Sequence, residues 1–319
     1  MTKTYMHTLA SIILASLLLT AYQKPEPADP RDIPADDGIL RILAVGNSFS
    51  ADAVEQELWP LFHAVGQKVI IGELYIPGCD LETHWKSAST DAAAYSYRKI
   101  TDAGNGAMTT NSGYTFMQGL RDEPWDIISL QQGGGHHGQF EYFEPWMTNP
   151  IEFCRENATY RKFKLAYHVP WVAPAHSTKA KFGFYDYDTA KMYAMITETT
   201  KQAAQKYPFD LIINSVDAIQ NGRSSYLGDT FDRDGWHLNK SYGRYTAGCI
   251  WFEKIMGQSV LGNPYHPSSI DSYVAEICQT AAHEACLHPY QVTDLSERFT
   301  NPDPPVSQTG KVPATQPSR

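Results

Sequence analysis

The sequence predicts a three-layer α/β/α sandwich built on a mainly parallel sheet of about five strands. Three observations carry this expectation. Ile42, Leu43, Ala44 and Val45 form a short continuous apolar run that ends at Gly46, as a strand buried on both faces should. Val54, Leu58, Leu61, Phe62 and Val65 then repeat at helical spacing, and a second apolar run starts at Val69. The chain thus opens strand, helix, strand, the unit of a doubly wound sheet. The runs from Ile127 to Leu130, from Leu165, and from Phe209 to Val216 supply the remaining strands.

The connecting segments follow in order. In the first helix Glu55, Gln56 and Glu57 face away from the apolar stripe, Pro60 is placed to kink it, and Gly66 ends it. Residues 80–113 are irregular. Two short strand-like runs there flank Gly104, Asn105 and Gly106, and read as a hairpin or polar excursion over one side of a site at the strand ends. A short helix from Tyr114 leads into the strand at Ile127. The stretch from Gly133 to Asn157 begins as a Gly-rich loop and turns aromatic. A long helix spans Asp188 to Lys206 with Tyr193, Ile196, Thr200 and Ala203 inward. Further helices run from about Asn239 and over residues 270–287. There is no internal repeat and no second core, so residues 38–298 read as one domain.

The ends have a different character. Lys3 precedes an almost wholly apolar stretch from Ile12 to Leu19, and Ala21 is a small residue suited to precede a cut. The stretch is shorter than the ~20 residues a bilayer helix needs, so residues 1–21 read as an export signal rather than a membrane span. A lipid-anchored variant of that signal would need a cysteine where Tyr22 stands. Export places the protein in the periplasm or outside the cell. Residues 22–37 and 299–319 are rich in Pro and polar residues and read as a flexible leader and a disordered tail.

A formal net charge of −9, with no cluster of Lys and Arg, argues against a nucleic-acid partner. The five cysteines form no C-x-x-C pair. Cys278 and Cys286 are close enough in sequence to suggest a bridge, although a helix would hold them two turns apart. The odd count leaves at least one thiol free.

Ser48 follows the first strand and opens the first helix. Parallel sheets place their chemistry outside the carboxyl ends of strands, and free N–H groups at a helix start can bind a developing oxyanion. Helix capping is the plainer job for Ser48 or Ser50. Asp234 and His237 lie three apart just before a core helix. There His237 could take a proton from a serine while Asp234 holds its ring. A surface loop with a satisfied histidine is the plainer account of that spacing.

Together these blocks resemble the SGNH, or GDSL-like, hydrolases. Gly46-Asn47-Ser48 is similar to that family's first block, with Asn47 in place of the usual Asp. Gly78 matches its second, and Asp234 with His237 its last. The resemblance covers roughly Arg41 to Gly257. More narrowly, the GNSFS opening, the LQQ strand end and the DGWHLN ending look like a family of exported SGNH-like proteins related to carbohydrate acetylesterases. The third block departs: the usual Asn is absent, and Gln131 or Gln132 stands near its place, Gln132 being preferred for position. The resemblance implies an ester hydrolase with Ser48 as nucleophile, His237 as base and Asp234 as its orienter. Ser48 N–H, Gly78 N–H and a Gln amide would form the oxyanion hole.

By the same resemblance no metal or cofactor is called for, and the substrate is an O-acetyl group on a carbohydrate or another small ester. A lipase or thioesterase of the same fold and a non-catalytic carbohydrate-binding protein are the rival readings. His136, His137 and Trp236 are candidates for lining the substrate. The spacing of His136 and His137 matches no metal motif. His84 and Trp85 could border the site or cap local structure. Trp171 and Tyr185 are further aromatics in expected loops; ordinary packing is the alternative for each.

Overall fold

The computed structural model describes residues 29–302. The export signal and the start of the leader lie outside the described residues, as does the tail beyond 302. The sheet consists of β1 (Ile39–Gly46), β2 (Lys68–Tyr75), β3 (Tyr95–Thr101), β4 (Met108–Tyr114), β5 (Ile127–Gln131), β6 (Lys164–Val169) and β7 (Leu211–Asn214). Their order is β4-β3-β2-β1-β5-β6-β7. β2, β1, β5, β6 and β7 pair in parallel and are the five strands expected. The count of five is corrected to seven. The hairpin of β3 and β4 joins the edge by antiparallel pairing with β2 and extends the sheet.

Side chains of β1 alternate between two apolar layers. Ile42 and Ala44 pack with helices α1 (Ser48–Val54), α2 (Leu58–His63), α8 (Tyr242–Met256) and α9 (Ser272–Leu287). Leu43 and Val45 pack with α3 (Leu81–Ser89), α4 (Phe116–Arg121), α5 (Thr148–Asn157) and α6 (Thr189–Lys206). A further helix, α7 (Ser215–Ser224), starts directly at the end of β7. The architecture is therefore the three-layer α/β/α sandwich.

The expected kinked helix is two helices. The break falls at residues 55–57, before Pro60, so that Pro60 sits in the first turn of α2, where its missing N–H costs nothing. Glu57, expected to face solvent, is buried and accepts a hydrogen bond from Tyr265 Oη at 2.6 Å. All five cysteines are free. Cys278 and Cys286 lie on the one helix α9, eight residues and about 12 Å of rise apart, too far to bridge. Residues 29–37, expected as part of a flexible leader, begin with a docked turn: Arg161 pairs with Asp29 (3.2 Å) and Asp32 (3.3 Å), and its N–H bonds Arg31 O. At the other end the domain reaches past 298, since Phe299 is buried against Tyr273. Among the described residues no helix is long and apolar enough to cross a membrane.

One buried acid gives the fold a pH dependence. Asp217 on α7 accepts from Tyr193 Oη and Tyr290 N, both at 2.8 Å, and burial pushes its carboxyl up to about 6. An unfolded Asp titrates near 3.9. Between about pH 4 and pH 6 the native state therefore holds a proton that the unfolded chain has released, and stability falls as pH rises through that window. Asp217→Asn is expected to flatten the fall and to stabilise the protein at pH 7 by on the order of 1–3 kcal/mol. Thermal unfolding at pH 4, 5, 6 and 7 checks this. An unaltered slope in the variant would refute it.

Candidate active site

The five parallel strands run in the order 2-1-3-4-5, so the direction of winding reverses between β1 and β5. That is the topological switch point, where doubly wound sheets bind ligands. Ser48 follows the end of β1 there, and Gln131 closes β5 beside it.

Asn47 is the N-cap of α1: its Oδ1 accepts from Phe49 N at 2.9 Å. Ser48 is the first residue of the helix, and its N–H is one of the first-turn donors without an acceptor inside the helix. Gly46 is required, because a Cβ there would lie 2.6 Å from Ser50 Oγ. The buried serine is Ser50, whose Oγ lies 2.7 Å from both Asn47 O and Glu73 Oε1. Ser48 keeps partial exposure, and its Oγ lies 2.9 Å from His237 Nε2. His237 Nδ1 lies 2.7 Å from Asp234 Oδ2.

Asp234 also accepts the N–H groups of Trp236 (3.0 Å) and His237 (2.8 Å) on its other oxygen. Partial burial pushes its carboxyl up, but the hydrogen bonds from His237 outweigh this and hold it below the usual carboxylate range. The Asp234 charge fixes the proton of the His237 ring on Nδ1 and leaves Nε2 as acceptor toward the Ser48 hydroxyl. The segment is itself braced: Trp171 Nε1 donates to Trp236 O at 2.9 Å, and Gly235, at φ +78°, donates to Asp232 at 2.6 Å.

The second block meets the first through Asn47. Ile76-Pro77-Gly78-Cys79 forms a turn closed by Cys79 N to Ile76 O, with Gly78 at φ +61°. Proline followed by a glycine of positive φ is the signature of a type II turn. Asn47 Nδ2 donates to Cys79 O at 2.8 Å and ties this turn to the start of α1. Replacing Asn47 by Asp, the residue usual in the resembled family, is therefore expected to harm this chain. It removes the donor and sets a carboxylate oxygen against the Cys79 carbonyl. A loss of about 1–3 kcal/mol should appear as a lower urea midpoint. An unmoved midpoint would show that the amide is dispensable.

Several expected positions are corrected. The Gln131 amide donates to Asn47 Oδ1 at 2.8 Å, while its oxygen lies 3.0 Å from His168 Nδ1, and His168 Nε2 lies 3.1 Å from Ser215 Oγ. The Gln132 amide donates to Tyr142 O at 2.9 Å, and its oxygen accepts Leu81 N and Gly133 N. Both amide groups expected as oxyanion donors thus bind the protein itself. His137 is fully buried beside Phe49 and Tyr185, has no hydrogen-bond partner on either ring nitrogen, and burial pushes it down to about 3. It packs as a neutral ring rather than lining a surface. Trp171 and Tyr185 are likewise buried in the core. His84 is buried against Cys79 Sγ (2.9 Å) and Tyr95 Oη (3.0 Å), under the Gly78 turn, and Trp85 packs on Phe153. Trp236 is half-buried at the site, 5.6 Å from Phe49. His136 is half-buried in the adjoining loop.

Sequence reasoning missed Asp52. It lies one turn after Ser48 and is 1 % exposed. It accepts from Leu238 N (2.9 Å), from Arg233 Nη1 (3.0 and 2.8 Å) and pairs with Arg244 (2.5 Å). The available signal was an acid at i+4 from Ser48 on an otherwise apolar helix face. A polar cavity of about 510 Å³, lined by His176, Ser177, Asp229, Asp232 and Asp234, borders the acid but not Ser48 or His237. Among the described residues no group of three or more His, Cys, Asp or Glu side chains could hold a metal ion.

The class defined so far is a doubly wound α/β/α protein with a Ser–His–Asp constellation at its switch point. The chain matches, over residues 41–285, the family described as a domain of unknown function (DUF4886), and it belongs to that family. It is similar to a crystal structure of a DUF4886 family protein from Bacteroides uniformis, with 39% identity and a TM-score of 0.78, covering 81% of this chain and 99% of that one. More distant is a protein described as an SGNH hydrolase from Slackia heliotrinireducens, at 17% identity and TM-score 0.44, covering 68% of this chain and 99% of that one. An acetyl xylan esterase from Geobacillus stearothermophilus stands at 11% identity and TM-score 0.34, covering 72% and 97%. No curated protein matches the chain.

Proposed function

We propose that the protein is an exported serine ester hydrolase that removes O-acetyl groups from a carbohydrate. The observation that carries this reading is the run of short contacts from Ser48 Oγ through His237 to Asp234, 2.9 and 2.7 Å, at the switch point of the sheet. Ser48 Oγ attacks the ester carbonyl as His237 Nε2 takes its proton. The oxyanion is met by the N–H groups of Ser48 and Gly78, both outside any helix or turn bond. His237 then protonates the departing alcohol, and water, activated by the same nitrogen, releases acetate. This reading rests the hole on two backbone donors, because each glutamine amide already spends one of its two N–H groups on the scaffold.

The choice of a carbohydrate acetate draws on the sequence resemblance and on the exposed aromatic surroundings of the site. The deciding experiment is acid release from aryl esters with chain length varied from acetate to octanoate. Turnover highest on acetate supports the reading. Turnover highest on octanoate would move it to a lipase. No turnover by folded protein on these esters or on acetylated glycans would leave a carbohydrate-binding protein on this scaffold.

A further inference from the structure

Among the described residues only three Phe, Tyr or Trp side chains are exposed: Tyr142 (43 %), Phe184 (50 %) and Tyr187 (54 %). All three lie in the two segments that border the loop 133–138. Their arrangement is ordered. The His136 ring is near-parallel to Tyr142, with centroids 4.0 Å apart and 21° between planes. It is also near-parallel to Phe184, at 5.6 Å and 28°. Gln139 Oε1 accepts from His136 Nδ1 at 2.9 Å and fixes the middle ring.

This row of rings adjoins the reaction centre through consecutive glycines. A Cβ on Gly134 would touch Phe49 and Trp236, beside Ser48, and one on Gly135 would meet Phe184 and Lys181 at 3.3 Å. From Gly134 to His136 the chain advances at most about 7 Å. Lys181 Nζ in turn reaches Gly78 O at 3.4 Å, next to the proposed oxyanion donor. The segment that presents Phe184 ends in two consecutive non-glycine residues of positive φ, Asp186 (56°) and Tyr187 (57°). Such strain persists only where the surrounding structure enforces it.

We infer that the outer face of Phe184, backed by the stacked His136 and Tyr142 rings, is a subsite for a pyranose ring of the glycan that carries the ester, one sugar removed from the acylated position. This rests on the ester-hydrolase reading above. A sugar has one flat face of C–H bonds and a polar rim. It suits the exposed outer ring at the end of the stack, with Lys181, Gln139 and Glu141 in the same two segments to supply donors and acceptors for hydroxyls. An acyl tail asks instead for an enclosed apolar channel that removes it from water. Exposed aromatic patches of this kind mark recognition surfaces.

The test compares two acetate esters, 4-nitrophenyl acetate and peracetylated xylobiose, on wild type, Phe184→Ala, Tyr142→Ala/Phe184→Ala and Phe184→Trp. The ratio of kcat/KM on the disaccharide to that on the aryl ester should fall about tenfold in the double variant, mainly through KM, and be kept in Phe184→Trp. A ratio within twofold of wild type in the double variant overturns the subsite. Turnover of neither ester by the wild type would defeat the hydrolase reading. The subsite is then decided by calorimetric titration with xylobiose: binding lost in the double variant sustains it, and equal or absent binding overturns it.

Discussion

Ser48→Ala is expected to lower kcat/KM on aryl acetate by about 10⁴–10⁶-fold while leaving the thermal midpoint close to wild type. The fold should be indifferent to the change because the Ser48 hydroxyl touches His237 and anchors nothing else, whereas the neighbouring Ser50 carries the buried hydrogen bonds. His237→Ala should cost nearly as much, and the double variant no more than either single one. A nucleophile without its base, or a base without its nucleophile, performs the same missing step. Asp234→Ala should cost less, since removing the orienting acid leaves both reacting groups in place. The residual rate in Ser48→Ala and His237→Ala would measure what substrate binding and the Gly78 and Ser48 N–H groups contribute without the serine–histidine pair. Turnover that persists in folded Ser48→Ala would remove Ser48 as the nucleophile and require attack by another group or by water activated at His237.

How much of this was legible in the sequence depends on where the information lies. The five parallel strands announce themselves because each is buried on both faces and must be apolar along its length. β4 does not. Its residues Met108–Tyr114 carry Thr, Asn, Ser and Gly and are almost all exposed, and it joins the sheet through backbone bonds that any side chains permit. The meeting of Ser48 with His237 and Asp234 could be anticipated because a strand end, a helix start and an i, i+3 pair are local features. The glutamines could be placed at the end of β5 but not aimed. The direction of the Gln131 amide is set by His168 and Asn47, residues brought together only by the sheet. The same holds for Trp171 and Tyr185. A loop assignment says nothing about exposure, and both rings turn inward under the loops that carry them.

The second large effect is expected at Asp52, 181 residues from its partner Arg233 in sequence and joined to it only by the fold. Asp52 extends from the serine helix into the Asp-x-x-His segment. There it takes the N–H of Leu238, the residue after His237, while Arg233 holds the same carboxylate, the Leu238 carbonyl and, through its own N–H, the His237 carbonyl. One buried carboxylate thus ties the serine helix to the residue after His237, beside the braces that Trp171, Asp232 and Asp234 supply. Asp52→Ala strands Arg244 and frees the loop. The expected result is a stability loss of about 3–5 kcal/mol and a fall in kcat of about 100-fold with KM little changed, since a displacement near 1 Å at a catalytic group costs that much. Asp52→Asn separates the two jobs. It retains an oxygen for Leu238 N–H but gives up the charge that holds both arginines. If alignment of His237 is the job that matters, Asp52→Asn should lose nearly as much stability as Asp52→Ala yet keep at least ten times more of kcat. Equal kcat in the two variants would mean that Asp52 acts only as a charge clamp. Full kcat in folded Asp52→Ala would mean that the loop holds His237 without it.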